Sequence, residues 1–269
     1  MGNLVVVGVD GSSSSLAAVD EAAREAKWRR AELRLVHAFN LPVRPMYAPP
    51  DPSPLRRLVA EAAQRARSLA PEVEVTEAVV SGDAVTVLEA ESRAADLVVV
   101  GPRGSGGFLG MLLGSTAASL AAHSECPVMV VREEPAGTGP ILLAVDGSPV
   151  GEKAVDFAFT EAGLRGAEIM AVHAWLPDYV PAGTGRESAE RLLAQALAGR
   201  TARHPDVMVR HEVLSGETRE VLIEASKTVQ LMVLGARGRG GFAGLLLGSV
   251  SQALLNHAHC PVTVVRGKV

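Results

Sequence analysis

With only two cysteines in 269 residues, the chain has no disulfide framework and must be held by a packed core. Long apolar runs are missing too. The first, residues 4–9, stops at Asp10, whereas a signal peptide needs a longer core behind basic residues and a membrane helix needs about 20 apolar residues. Val6 stands where a myristoylation signal prefers Ser or Thr. Excess basic charge is also lacking: a net charge of -4 and a pI of about 6.0 create no field that would draw nucleic acid. These absences predict a cytoplasmic protein with no membrane and no nucleic-acid partner. What remains is an ordinary globular balance, 48% hydrophobic and 21% charged, which argues against disorder.

The chain repeats itself. Val7-Gly8-Val9-Asp10-Gly11-Ser12 is echoed by Leu143-Ala144-Val145-Asp146-Gly147-Ser148, and Leu35-Val36-His37-Ala38 by Ala171-Val172-His173-Ala174. Further on, Leu112-Leu113-Gly114-Ser115 and Cys126-Pro127-Val128 return as Leu246-Leu247-Gly248-Ser249 and Cys260-Pro261-Val262. Landmarks in the same order in both halves mean a duplication. The expected domains are 1–134 and 140–269, joined by a Gly- and Pro-rich linker at 133–140.

Within the first copy two periodicities alternate. Residues 4–9, 33–38, 73–80, 97–100 and 128–131 are short Val- and Leu-rich runs, as parallel strands covered on both faces require. Residues 13–30, 54–69, 83–94 and 115–123 have helical spacing, with Ser12 or Ser13, Ser53 and Asp83 as N-cap candidates. The pattern is β-α-β-α-β-α-β-α-β, an α/β fold with an open parallel sheet between helix layers, and it occurs twice. In the second copy Gly163 and Gly166 replace Lys27 and Arg30, which predicts a weaker end to its first helix.

Ligands of open parallel sheets bind beyond the carboxyl ends of the strands, where strand order reverses. Glycine-rich segments stand at such ends. Gly101-Pro102-Arg103-Gly104 leads to Gly114-Ser115-Thr116, and Gly235-Ala236-Arg237-Gly238 leads to Gly248-Ser249-Val250, both as G-x2-G-x9-G-S. Glycine lets backbone N–H groups approach phosphate, a helix N-terminus offers orphan donors, Ser115 and Ser249 add hydroxyls, and Arg103 and Arg237 can neutralise charge. Asp10 and Asp146 would repel a polyphosphate, so their expected place is the nucleoside end; the competing reading makes Asp10 a helix N-cap. No Walker lysine and no G-x-G-x-x-G dinucleotide fingerprint is present.

On these motifs the sequence resembles the universal stress protein family in its tandem form, over almost its whole length. ATP-binding members of that family carry G-x2-G-x9-G-[S/T], matched by Gly101, Gly104, Gly114 and Ser115 and by Gly235, Gly238, Gly248 and Ser249. The family's acidic residue after strand one falls on Asp10 and Asp146. Its main-chain adenine contact falls on Ala38 and Ala174, and Gly8 and Ala144 are small enough for a nucleotide to lie over strand one. The resemblance implies two five-stranded sheets of order 3-2-1-4-5, related by a pseudo-twofold, and an ATP in each half with Mg2+ accompanying the phosphates. Pro102 departs from its small counterpart, Ala236, and could stiffen the first loop.

Other signals are weaker. His257-Ala258-His259-Cys260 has no full counterpart in the first copy, so it reads as a helix end leading into a strand rather than a metal site. His37 and His173 lack a partner nucleophile, and Glu89-Ala90-Glu91 reads as a solvated helix face. The expected function is ATP-dependent regulation or stress response by binding, not catalysis. A slow ATPase and an interaction module that binds no nucleotide are the alternatives. The apolar last strands, 128–132 and 262–266, are expected to pair the two halves. Homodimerisation and unidentified protein partners complete the expected interactions.

Overall fold

The computed structural model describes residues 3–40, 53–105, 112–132, 138–176, 185–238 and 246–266. Residues 133–137 of the predicted linker and the loop interiors 106–111 and 239–245 lie outside them. Contacts divide the chain into Met1–Glu134 and Pro135–Val269.

In the first half the order is β1 (Leu4–Gly8), α1 (Ser13–Arg29), β2 (Glu32–Phe39), α2 (Ser53–Leu69), β3 (Val75–Ser81), α3 (Ala84–Glu91), β4 (Leu97–Val100), α4 (Ser115–His123) and β5 (Val128–Val130). All pairings are parallel, in the order β3-β2-β1-β4-β5. The second half repeats this with β6 (Ile141–Ala144), α5 (Pro149–Arg165), β7 (Ile169–Trp175), α6 (Gly185–Leu197), the short α7 (Arg200–Arg203), β8 (Val209–Ser215), α8 (Thr218–Ala225), β9 (Leu231–Gly235), α9 (Ser249–His257) and β10 (Val262–Val265). Its order is β8-β7-β6-β9-β10.

The runs that lack polar residues are the central strands. Val5, Val6, Val7, Val98 and Val99 have no exposed surface, because α1 packs with α2 and α3 with α4 over the sheet. Burying each such side chain contributes about 1.5–3 kcal/mol. Flanking β3 is half-exposed and carries Thr76 and Glu77, as a strand with one neighbour allows. Because β1 is followed outward by β2 and β3 before the chain returns to β4, the strand order reverses between β1 and β4, and the crevice there faces the loops after Gly8 and Val100.

The structure decides two local points. The N-cap of α1 is Ser12, whose side chain accepts from Ser15 N–H, so Asp10 is not the cap. Gly166 does not shorten α5, which is 17 residues long, as α1 is. It sits at φ 62°, ψ 35° just past the helix, where its N–H donates to Ala162 O and the following Ala167 N–H returns to the same carbonyl at 2.9 Å. The first half makes this left-handed stop with Arg30, at φ 51°. A side chain there costs about 1–2 kcal/mol, less the chain entropy that a glycine restores to the unfolded state. Arg30→Gly is therefore expected to stabilise the first half by about 0.5–1 kcal/mol in urea unfolding. A loss of stability would show that the Arg30 side chain holds something that its backbone does not.

Candidate functional site

Beyond the ladder, β1 and β2 stay joined for one more step: Val9 N–H donates to Val36 O at 2.9 Å, and Val145 N–H to Val172 O at 2.8 Å. A histidine then fastens each end. His37 Nδ1 lies 2.7 Å from Val9 O, and His173 Nδ1 lies 2.6 Å from Val145 O. A carbonyl only accepts, so Nδ1 carries the proton in both rings. The histidines close strand two against strand one and hold the residue before each aspartate.

Asp10 follows at once. Its Oδ1 accepts from Ser12 N–H at 3.0 Å and from the Ser12 hydroxyl at 2.6 Å, while Oδ2 accepts from Ser105 N–H at 2.5 Å. Burial pushes the carboxyl up, but the bonds from the Ser12 hydroxyl and the Ser105 and Ser12 amides outweigh it, and its pKa falls below the ordinary carboxylate value. The carboxylate therefore spans from the β1–α1 turn to the glycine loop 95 residues away. Asp146 Oδ1 likewise accepts from Ser148 N–H at 2.9 Å.

The glycine loops share one frame. Gly114 N–H donates to Pro102 O at 2.7 Å, and Gly248 N–H to Ala236 O at 2.8 Å. Pro102 thus supplies the same carbonyl as Ala236, and both side chains are buried. What proline forfeits is the bond that Ala236 N–H makes to Val265 O at 2.9 Å. Gly114 and Gly248 are the N-caps of α4 and α9, in extended conformation, and neither helix has a side-chain cap bond. Ser115 and Ser249, the first helical residues, are exposed, with Thr116 and Val250 half-buried behind them.

None of the motif glycines uses the left-handed region. Positive φ belongs instead to Gly11 and Gly147, which turn the chain after each aspartate, to Gly82 and Gly216 before α3 and α8, and to Gly166 and Gly199. Gly101, Gly104 and Gly238 answer to space. A Cβ on Gly101 would come 2.8 Å from the Ser14 backbone, and one on Gly104 or Gly238 would come 2.7 Å from Asp10 Oδ2 or Asp146 Oδ2. On Gly235, Gly114 and Gly248 the nearest atoms stand at 3.4 Å, an ordinary contact. Gly8 is explained by packing, since its Cβ would lie 3.0 Å from Leu88 Cδ1 of α3. Its counterpart Ala144 ends β6, while Ala38 and Ala174 lie half-buried near the ends of β2 and β7, paired with Val80 and Leu214. Arg103 is exposed and Arg237 half-buried.

Two residues that the motifs do not mark out hold the loops from opposite sides. Ser14 Oγ donates to Arg103 O at 2.5 Å in the first half; in the second, Ser251 Oγ donates to Gly235 O at 3.0 Å and Ala236 O at 3.2 Å. Val150 and Ala117 stand at the exchanged positions, so each half has one such hydroxyl. The serine run 12–15 was a visible signal; Ser251 carried none. A cavity of about 150 Å³ opens between α5 and α6, lined by Val145, Gly147, Ser148, Glu152, Leu192 and Gln195, and none of the described glycine-loop residues borders it.

Other sequence signals fall away from the site. His257 ends α9 and Cys260 is buried ahead of β10. Ala90 is exposed as expected, but Glu89 and Glu91 are half-buried with partners: Arg34 Nε lies 3.0 Å from Glu91, and Ser119 Oγ donates to Glu89 at 3.4 Å. Among the described residues no group of three His, Cys, Asp or Glu is placed to hold a metal ion, and no helix is long and apolar enough to cross a membrane.

Comparison with known proteins agrees with the tandem fold. The model of the universal stress protein family matches residues 1–132 and again 137–266. One universal stress protein of Mycobacterium tuberculosis is 38% identical over 286 residues, covering 97% of this chain and 96% of the relative. Another from that organism is 36% identical over 304 residues, covering 97% and 94%. The crystal structure of a universal stress protein from Archaeoglobus fulgidus superposes with a TM-score of 0.74 at 20% identity, over 99% of this chain and 97% of that one.

Proposed function

The chain belongs to the universal stress protein family, and from that premise we propose that each half binds one adenine nucleotide, ATP being the expected one. The observation that carries this reading is the pair of glycines at the starts of α4 and α9. Among the described residues no neighbour forbids a side chain on Gly114 or Gly248, and both helices leave their first N–H groups without a side-chain cap. Such an end favours an anion through its free donors and its dipole. A phosphate there would meet the backbone of Gly114–Thr116 or Gly248–Val250, with Arg103 or Arg237 within the same loop to balance its charge. The base would extend over the strand ends towards Ala38 or Ala174, and Mg2+ would arrive with the phosphates.

The protein acts, on this reading, by binding rather than catalysis. Both His37 and His173 commit Nδ1 to a carbonyl, and burial pushes the Cys126 thiol up to about 12, far from a reactive thiolate. Phosphate release by the pure protein at a useful rate would overturn that part.

Isothermal titration of ligand-stripped protein with ATP is expected to give two sites per chain. Ligand that binds only the folded state adds about 2.7 kcal/mol per site at a hundredfold excess over Kd, so thermal shift provides a second measure. A single site would confine the function to one half, and no binding of ATP, AMP or cyclic AMP would leave a protein-interaction module in its place.

A further inference from the structure

We infer that β8, the outer strand of the second half, is a docking edge for a second copy of this chain, the two β8 strands pairing antiparallel about His211. The inference goes beyond nucleotide binding and does not rest on it.

β8 has one strand neighbour, β7, and the parallel ladder occupies only every second residue of it. Ile169 N–H donates to Met208 O at 2.8 Å and Gly216 N–H to Trp175 O at 3.0 Å, so the even-numbered residues face β7. The N–H and C=O groups of Val209, His211 and Val213 point the other way, and among the described residues nothing bonds to them. The outer strand of the first half, β3, is closed by contrast. Leu33 N–H takes Glu74 O, which turns Val75 outward, and there Arg67 Nη2 donates to Val75 O at 3.1 Å and to Glu77 at 3.0 Å. A basic side chain laid across an edge keeps other strands off it. In the second half Arg200 and Arg203, from the short helix before β8, turn to Asp156 of α5 instead.

An open edge fits many strands, and the charges on β8 select its own copy. A twofold axis between identical edges makes the strands antiparallel, and bonding needs outward residues opposite one another. Centred on Arg210 or on Glu212, such a pairing sets that charge against itself. Centred on His211, it sets Arg210 opposite Glu212 of the second copy and Glu212 opposite its Arg210, both on one face, with Val209 opposite Val213. The outward residues then exchange about six hydrogen bonds. Arg210 Nε lies 2.6 Å from Glu168, and the guanidinium has donors enough for both carboxylates. β3 has no such register, since Glu77 is its only charge.

The full chain is expected to associate reversibly in sedimentation at about 10–500 µM, as a small, transient interface does. Arg210→Glu and Glu212→Arg should each weaken self-association about tenfold or more, because like charges then face each other. An equimolar mixture of the two variants should associate within about threefold of the wild type, since each supplies the charge that the other lacks. Hydrogen exchange reads the same edge in the unaltered chain. The amides of Val209, His211 and Val213 should slow as concentration rises, while that of Glu77 on β3 does not change. Should either variant fail to fold, this exchange result decides alone. A monomer at the highest concentration, association that leaves those β8 amides fast, or a mixture of folded variants no stronger than either alone would overturn the proposal.

Discussion

Gly114→Val is expected to abolish nucleotide binding in the first half and Gly248→Val in the second, with both variants still folded. Valine suits the backbone there: φ is -75° at both sites, with ψ 156° and 154°, the extended region that β-branched residues favour. Its Cβ would meet Pro102 O or Ala236 O at 3.4 Å, an ordinary contact, so the chain itself loses little beyond the difference between glycine and valine as N-cap, about 1 kcal/mol. The ligand loses more. A branched side chain at the start of α4 or α9 stands over the N–H groups that a phosphate would approach, and the expected loss is at least about hundredfold, or roughly 2.8 kcal/mol. Titration of each variant should retain one site of the remaining half. Two sites of unchanged affinity in either variant would show that these helix ends do not hold the phosphates.

Glu161→Ala is expected to destabilise the second half by about 3–5 kcal/mol, the largest single effect on folding that the structure suggests. Glu161 and Arg165 form an ion pair of 2.6 Å one turn apart on α5, with side chains 0% and 3% exposed. Removing the carboxylate takes the 2.6 Å counter-ion from a buried guanidinium, which also donates to Gln230 Oε1 at 3.3 Å, and Gln230 Nε2 in turn donates to Gly139 O at 2.6 Å. Exchanging both partners for apolar residues, Glu161→Leu with Arg165→Met, should recover most of the loss, because no charge is then left without its counter-ion. The equivalent Glu25–Arg29 pair of α1, at 2.9 Å with Arg29 10% exposed, should show a smaller effect. Urea unfolding of the variants measures all three, and a change below about 1 kcal/mol in Glu161→Ala would mean that water reaches the pair.

The buried ion pairs also show where sequence reading ends. Glu25 and Glu161 carry the same letters as the exposed glutamates of their helices, and only the packing of α1 and α5 on the sheet separates them. Periodicity tells which face of an element is buried when apolar residues mark it. It says nothing of a polar residue buried with a partner one turn away.

The sequence by itself determined the duplication, the alternation of strands and helices, and the place of both glycine loops. These are properties of neighbouring residues: apolar spacing, turn-forming glycines and landmarks recurring in order. Tertiary structure alone decided why Gly101, Gly104 and Gly238 are glycines. The reason is not left-handed backbone, which falls to Gly11 and Gly147, but contact with Ser14 and Asp10 about ninety residues distant, and with Asp146 in the second half. It also decided that Ser14 steadies one loop and Ser251 the other. Such partners meet because the parallel sheet brings the ends of β1 and β4, or β6 and β9, side by side. The distance along the chain is closed by the fold, and no local pattern records which side chain waits on the far side.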